Sequence, residues 1–160
     1  MPRAAKSVDV RANLAELRRR VNSSSVARQF GFELAEAEHG RVVMKMRVAA
    51  RHRQVHGVVH GGVMAALVDT AGGLATYMAL PPGARAATIE LKINYLEGVE
   101  RGMVFADARV VRMGRHIAVV DCDARDEHGR LVAKALMTFF VGPFGKNRKI
   151  GKAAGKIQRG

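Results

Sequence analysis

One cysteine, Cys122, stands among 160 residues. No disulfide can form within the chain, so packing alone must hold the core, and the expected compartment is the reducing cytoplasm. Tryptophan is absent and tyrosine occurs twice, which leaves no aromatic–basic alternation of the kind that stacks single-stranded nucleic acid. No apolar run reaches the ~18 residues of a membrane span, and the charged N-terminal stretch lacks the apolar segment of a secretory signal. There is no Gly-x-Ser-x-Gly elbow, no phosphate-binding loop and no dinucleotide fingerprint. Acids are scarce: 14 Asp and Glu face 27 Lys and Arg, a formal net charge of +13. That excess is uneven. Residues 1–28 carry +5 and residues 143–160 carry +6, while residues 29–142 carry only +2. The basic flanks therefore read as solvated ends, with neither nucleic acid nor membrane as a partner, although a basic surface also gathers polyanionic small molecules.

What is present is a hydrophobic fraction of 48%, enough for one core in a chain of single-domain length. Val10, Leu14, Leu17 and Val21 fall on one helical stripe, ended by the serines at 23–25. Two strand runs, Phe32–Glu38 and Arg41–Val48, turn at His39–Gly40. A polar loop covers 49–59. A long helix follows from Gly61 to about Leu80, stopped by the Pro-Pro-Gly at 81–83. Further strand runs occupy 86–98, 102–114, 115–129 and 129–142. In the first of them Ile89, Leu91, Ile93 and Tyr95 share one face, and Thr88, Glu90, Lys92 and Asn94 the other. The helix is apolar nearly all round and needs burial on all sides. The sheet needs a cover for its apolar face. The two needs answer each other in an α+β fold, an antiparallel sheet wrapped around one long central helix. The expected divisions are an N-terminal helical extension (1–25), a core domain (26–142) and a basic tail (143–160) expected to be disordered.

The stretch VHGVVHGGVMAALVDTAGGLA, from Val55 to Ala75, carries the chemistry. Asp69 is the one acid of a greasy helix, and its neighbours three and four residues away are Ala65, Ala66, Gly72 and Gly73. A bare buried carboxylate is costly unless it is hydrogen-bonded. One held beside a water can act as a general base; the competing role is a structural bond to a hydroxyl or a backbone amide, or plain exposure. Gly61 and Gly62 open the helix, where N–H groups lack intrahelical partners and the dipole favours negative charge. Without side chains they let a carbonyl oxygen approach, as an oxyanion hole requires, or they form a plain N-terminal glycine pair. His60 reads as a cap that holds this loop rather than as the base. His52, His56 and His60 have no acid or thiol near them in sequence, so no metal is expected. Cys122 alternates with Asp121 and Asp123 in a strand and reads as a core residue.

HGGVMAALVDTAGGLA, then TIELKINYLEGVERG, then RMGRHIAVVDCDARDEHGRLVAKALMTFFV together resemble the hotdog-fold acyl-CoA thioesterases of the phenylacetate-pathway type. The resemblance covers about residues 26–142. It implies hydrolysis of an acyl-CoA thioester, with coenzyme A as part of the substrate and no separate cofactor. It also implies a homodimer with a continuous sheet, often paired into a homotetramer, with active sites between subunits. Position by position, Asp69 matches the family's catalytic carboxylate, acting as general base or nucleophile. Gly61 matches the residue whose amide polarises the thioester carbonyl, with His60 and Gly62 beside it as substrate-binding positions. Thr88 matches a Ser/Thr that orients the attacking water. Gln54 stands where the family often has Asn, offering the same amide on a longer stem. Arg112, Gly114 and Arg115 fall where the nucleotide end of coenzyme A binds; two arginines at a turn suit phosphate, or form a solvated turn. Asp69 and Thr88 are implied to come from one subunit and Gly61 from the other. The alternative from another class is a non-catalytic hotdog module that binds acyl-CoA or a partner protein; the retained Asp69 favours the enzyme. Met64, Val68 and Tyr77 are expected pocket walls, and they leave aryl and medium-chain acyl groups equally open.

Overall fold

The computed structural model describes residues 10–81 and 83–143, with side chains from residue 14 onward. Two helices, α1 (Val10–Ser23) and α2 (Ser25–Phe30), precede a strand hairpin, β1 (Phe32–Glu38) and β2 (Arg41–Arg47). A short 3-10 turn at Ala50–His52 and an irregular loop lead into α3 (Gly61–Ala79). Four strands follow: β3 (Arg85–Tyr95), β4 (Met103–Met113), β5 (Ile117–Asp126) and β6 (Leu131–Gly142). The six strands form one sheet in the order β1-β2-β4-β5-β6-β3, with every neighbouring pair antiparallel. α3 packs against one face of it and touches all six strands. This is the expected sheet wrapped around a central helix. The expected tail lies outside the described residues from residue 144 onward, as do residues 1–9 and Pro82.

Local chemistry accounts for the joints. Gly40 turns the first hairpin at φ 70°, a left-handed conformation open to glycine. The serine run does more than end a helix: Ser24 caps α2, its side chain accepting the Ala27 N–H at 3.3 Å. Leu17 and Val21 of α1 are buried and Leu14 is half-buried, so this part of the predicted stripe faces the core, while the Val10 side chain lies outside the described residues. Between the sheet and α3 lie Leu67, Val68, Ala71 and Ala75, closed over by Met44, Met46, Val104, Val120, Met137 and Phe139.

Two expectations change. The first concerns β3. Its pairing with β6 shifts between Thr88 and Glu90, so Ile89 is an extra residue in the ladder and is 57% exposed. Such a bulge reverses the in–out alternation of the residues before it. Thr88 pairs with buried Phe139 and Leu91 with buried Met137, which puts Thr88 on the helix face rather than with Glu90. The second concerns α3. It is not buried on all sides within one chain: Ala65, Ala66, Asp69 and Gly73, a stripe at helical spacing, stay half-buried.

Candidate active site

Asp69 sits on the second turn-pair of α3, half-buried at the wall of a cavity of about 750 Å³. Thr88 reaches it from β3 and donates its hydroxyl to Asp69 Oδ1 at 2.8 Å. Oδ2 of Asp69 has no partner among the described residues. The pair thus leaves one carboxylate oxygen available as an acceptor beside open space. The β3 bulge makes the pairing possible, because an unbroken alternation would point Thr88 away from α3.

The start of α3 is built differently. His60 is the N-cap; its Nδ1 accepts the Gly62 N–H at 2.8 Å, and its carbonyl takes the Val63 and Met64 amides. The Gly62 amide is therefore engaged. Gly61, the first helical residue, has no carbonyl behind it to accept its N–H. Tyr95, at the end of β3, donates its hydroxyl to the Gly61 carbonyl at 2.9 Å. A Cβ at Gly61 would stand 3.1 Å from the Tyr95 ring, so glycine is what lets the ring close over the helix start. Gln54 lines a second cavity, of about 310 Å³, together with Gly61, Met64 and Tyr95. Its Oε1 accepts the His56 N–H at 2.6 Å and its backbone amide bonds Val58, so the loop folds back on itself before reaching the helix.

His52 secures this loop from below. It is fully buried, its Nδ1 accepts the Ala49 N–H at 3.0 Å, and its carbonyl accepts the His60 N–H at 2.7 Å. Because Nδ1 accepts, the neutral ring carries its proton on Nε2, and that atom has no hydrogen-bond partner. Burial, with the Arg51 charge added, holds the imidazole below its ordinary value; the backbone at Phe30 and Arg47 pulls the other way.

The expected site residues thus fall into three places. Asp69 and Thr88 share the larger cavity, and Gln54 and Gly61 share the smaller. Eight residues separate Gly61 from Asp69, about 12 Å along a helix axis. Arg112 and Arg115 flank the β4–β5 turn, both exposed, with no side-chain hydrogen bond or ion pair among the described residues. Gly114 makes that turn: its amide bonds the Ile117 carbonyl at 2.8 Å, and a Cβ there would stand 2.9 Å from the same oxygen. Of the expected walls, Tyr77 lines the larger cavity and Met64 the smaller, while Val68 lies in the core. Cys122 is buried, and burial, with the charges of Asp107, Asp123 and Asp121, pushes its thiol far up, which makes it inert. Among the described residues no three His, Cys, Asp or Glu side chains cluster in a way that could hold a metal ion, and no helix is long and apolar enough to cross a membrane.

Sequence reasoning missed Tyr95, His52 and Arg20. Tyr95 reads as one more strand residue, and only the fold brings it back over Gly61, 34 positions earlier. His52 looks like part of a polar histidine loop until its burial is seen. Arg20, in a basic run of α1, stacks its guanidinium 4.2 Å from the Tyr77 ring centre.

The relatives agree with this architecture. The profile of the family described as Thioesterase superfamily matches residues 56–133, which include Gly61, Asp69 and Thr88. The solved structure of thioesterase HI1161 from Haemophilus influenzae superposes with a TM-score of 0.75 at 30% identity, over 81% of this chain and 90% of that one. That of the PaaI protein from the E. coli phenylacetic acid degradation operon gives 0.76 at 21% identity, over 82% and 94%, a likeness of fold. The 1,4-dihydroxy-2-naphthoyl-CoA hydrolase of Listeria monocytogenes is 26% identical over 69% of this chain and 90% of its own length. With its helix-wrapping sheet and a central-helix carboxylate met by a hydroxyl from β3, the chain belongs to the thioesterase superfamily and has the hotdog fold.

Proposed function

We propose that the protein hydrolyses acyl-CoA thioesters at a site completed by a second copy of itself. The carrying observation is the division of the site. Asp69 and Thr88 meet in one cavity, while the Gly61 amide opens about 12 Å away along the same helix. A two-fold axis beside α3 sets two such helices antiparallel and brings Gly61 of one copy to Asp69 of the other. The half-buried stripe of Ala65, Ala66 and Gly73 around Asp69 is small enough for that approach. The assembly is a homodimer at least, and a homotetramer if two dimers pair.

In the reaction, Asp69 Oδ2 takes a proton from water while Thr88 holds Oδ1. The water oxygen bonds the thioester carbonyl carbon, and the oxyanion accepts the Gly61 N–H, a contact worth ~2.7–4 kcal/mol in comparable sites. Collapse breaks the C–S bond, and the proton passes from Asp69 to sulfur, so coenzyme A leaves as its thiol. Water is the only co-reactant, and no cofactor enters. His60 and Gly62 hold the helix start against the substrate, and Gln54 orients the thioester beside Gly61. Arg112 and Arg115, spread by Gly114, take the nucleotide phosphates. A single cysteine and a coenzyme A substrate suit the cytoplasm.

The test is thiol release from a panel of acyl-CoA thioesters. Asp69→Asn keeps shape and hydrogen bonding but cannot take the proton, so turnover should fall about 10²–10⁴-fold with the melting temperature little changed. Turnover equal to wild type would remove Asp69 from the chemistry.

A further inference from the structure

The cavity that holds Asp69 extends well past the Asp69–Thr88 pair. Its far wall comes from α1, α2 and the cap between them, which contribute Arg20, Val21, Ala27 and Ser24. Arg20 lies over the ring of Tyr77, and Tyr77 is eight residues beyond Asp69, about 12 Å along α3. Arg85, at the first position of β3, lines the same space. The charged lining therefore holds two guanidiniums and one carboxylate, Asp69.

Neither guanidinium is used up. The Arg85 side chain has no hydrogen bond or ion pair among the described residues. Arg20 gives only its Nε, to Glu16 Oε1 at 2.8 Å, and Glu16 also serves Arg19. The two Nη atoms of Arg20 have no partner among the described residues, and its guanidinium carbon lies 4.2 Å over the Tyr77 ring centre, a cation–π contact that favours this position. Val21, Leu74, Ala86 and Phe139 give the remaining wall an apolar stretch, with the hydroxyl residues Ser24 and Thr70 beside it. A purely hydrocarbon acyl group filling this space would strip water from two cations and return nothing. An acyl group ending in a carboxylate would lay its chain on the apolar wall and its charge on a planar, bidentate donor.

We propose that the Arg20 end of this cavity, with Arg85 beside it, is a carboxylate subsite, and that the acyl groups it selects are dicarboxylic: monothioesters of a dicarboxylic acid with coenzyme A. This rests on the hydrolysis reading above. Arg20 is the specificity-determining residue, Tyr77 positions it, and Arg85 adds a second cation. The free carboxylate sits at the end of the cavity remote from Asp69, so the two negative charges are kept apart.

The test compares octanedioyl-CoA with octanoyl-CoA. Wild type should show kcat/KM at least tenfold higher for octanedioyl-CoA, and the preference should shrink as salt rises. Arg20→Met keeps the apolar stem over Tyr77 and should lower kcat/KM for octanedioyl-CoA at least tenfold more than for octanoyl-CoA. Arg20→Lys should fall between, and Arg85→Gln should narrow the preference independently. Equal wild-type rates on the two substrates would overturn the subsite and leave the hydrolase standing. So would an Arg20→Met loss of the same size on both, which is what a merely structural stack predicts. Calorimetric binding to Asp69→Asn separates the two readings. If no thioester is cleaved yet octanedioyl-CoA binds tenfold tighter than octanoyl-CoA, hydrolysis falls and the subsite stands; equal binding removes the subsite.

Discussion

A single side chain in this protein is defined by what remains unpaired on it. Thr88 satisfies one oxygen of Asp69 and leaves the other without a partner among the described residues, at the wall of the cavity, as the proposed role of base requires. His52 is the opposite case: it is fully enclosed, and its Nε2 proton has no acceptor. Burial and Arg51 hold its pKa below the ordinary one, so the unfolded chain takes up the proton first. The stability that neutral His52 contributes is whole above about pH 6.5, the unfolded value. It is lost as pH falls from there toward the folded one. Protonation would also place a proton on Nδ1, where the Ala49 amide now donates. Urea midpoints measured at pH 7.5, 6.5 and 5.5 should fall in wild type. His52→Asn keeps an acceptor near the Nδ1 position and does not titrate, so its midpoints should be lower throughout and flatter with pH. Parallel curves for the two proteins would clear His52 of the effect.

At the scale of elements, the start of α3 depends on its cap. His60 Nδ1 holds the Gly62 amide, and removing an N-cap acceptor costs about 0.5–2 kcal/mol. His60→Ala should lose that much in urea denaturation and should also lower kcat, because Gly61 loses its fixed direction. His60→Asn places an oxygen where Nδ1 stood, and Asn is among the best N-caps, so both losses should be largely recovered. If Asn fails to rescue kcat while restoring stability, His60 touches the substrate itself. The elements themselves were legible. Alternation and Gly40 marked the hairpin, and apolar continuity from Gly61 marked α3 and made Asp69 conspicuous. The face of Thr88 was not legible from the β3 pattern, because the TIELKINY run alternates without a break in sequence and the bulge at Ile89 exists only in its pairing with β6. Thr88 could be assigned to Asp69 by family resemblance, while the physical pattern pointed it the other way. Tyr95 over Gly61 and Arg20 over Tyr77 escaped for a related reason: each joins elements far apart in the chain, and no local periodicity encodes them.

The whole molecule raises two questions, where the nucleotide docks and how many chains make a site. Arg112 and Arg115 are exposed and free of ion pairs among the described residues. Contacts to phosphates that do not change during reaction give uniform binding, so Arg112→Ala with Arg115→Ala should raise KM for acyl-CoA and spare kcat. A short thioester lacking the nucleotide should be nearly indifferent. Equal responses from both substrates would mean the nucleotide docks elsewhere.

The number of chains can be read from a mixing experiment. Asp69→Asn lacks the proposed base, and Gly61→Val obstructs the proposed oxyanion-binding amide with a side chain that must push against Tyr95, whose ring stands 3.1 Å from a Cβ at that position. Each variant alone should be nearly inactive, with melting curves confirming that both are folded. If Asp69 and Gly61 serve the same site from different chains, a mixed dimer has one site with both defects and one with neither. Dissociating and re-annealing equal amounts makes half the dimers mixed, each with one intact site of two, so about a quarter of wild-type activity should return on a two-fold symmetric arrangement. If both groups served their own chain, every site in every dimer would keep one defect, and mixing would return nothing. The 12 Å of helix between them favours recovery, since a thioester carbonyl attacked by a water on Asp69 cannot also reach the Gly61 amide of the same α3.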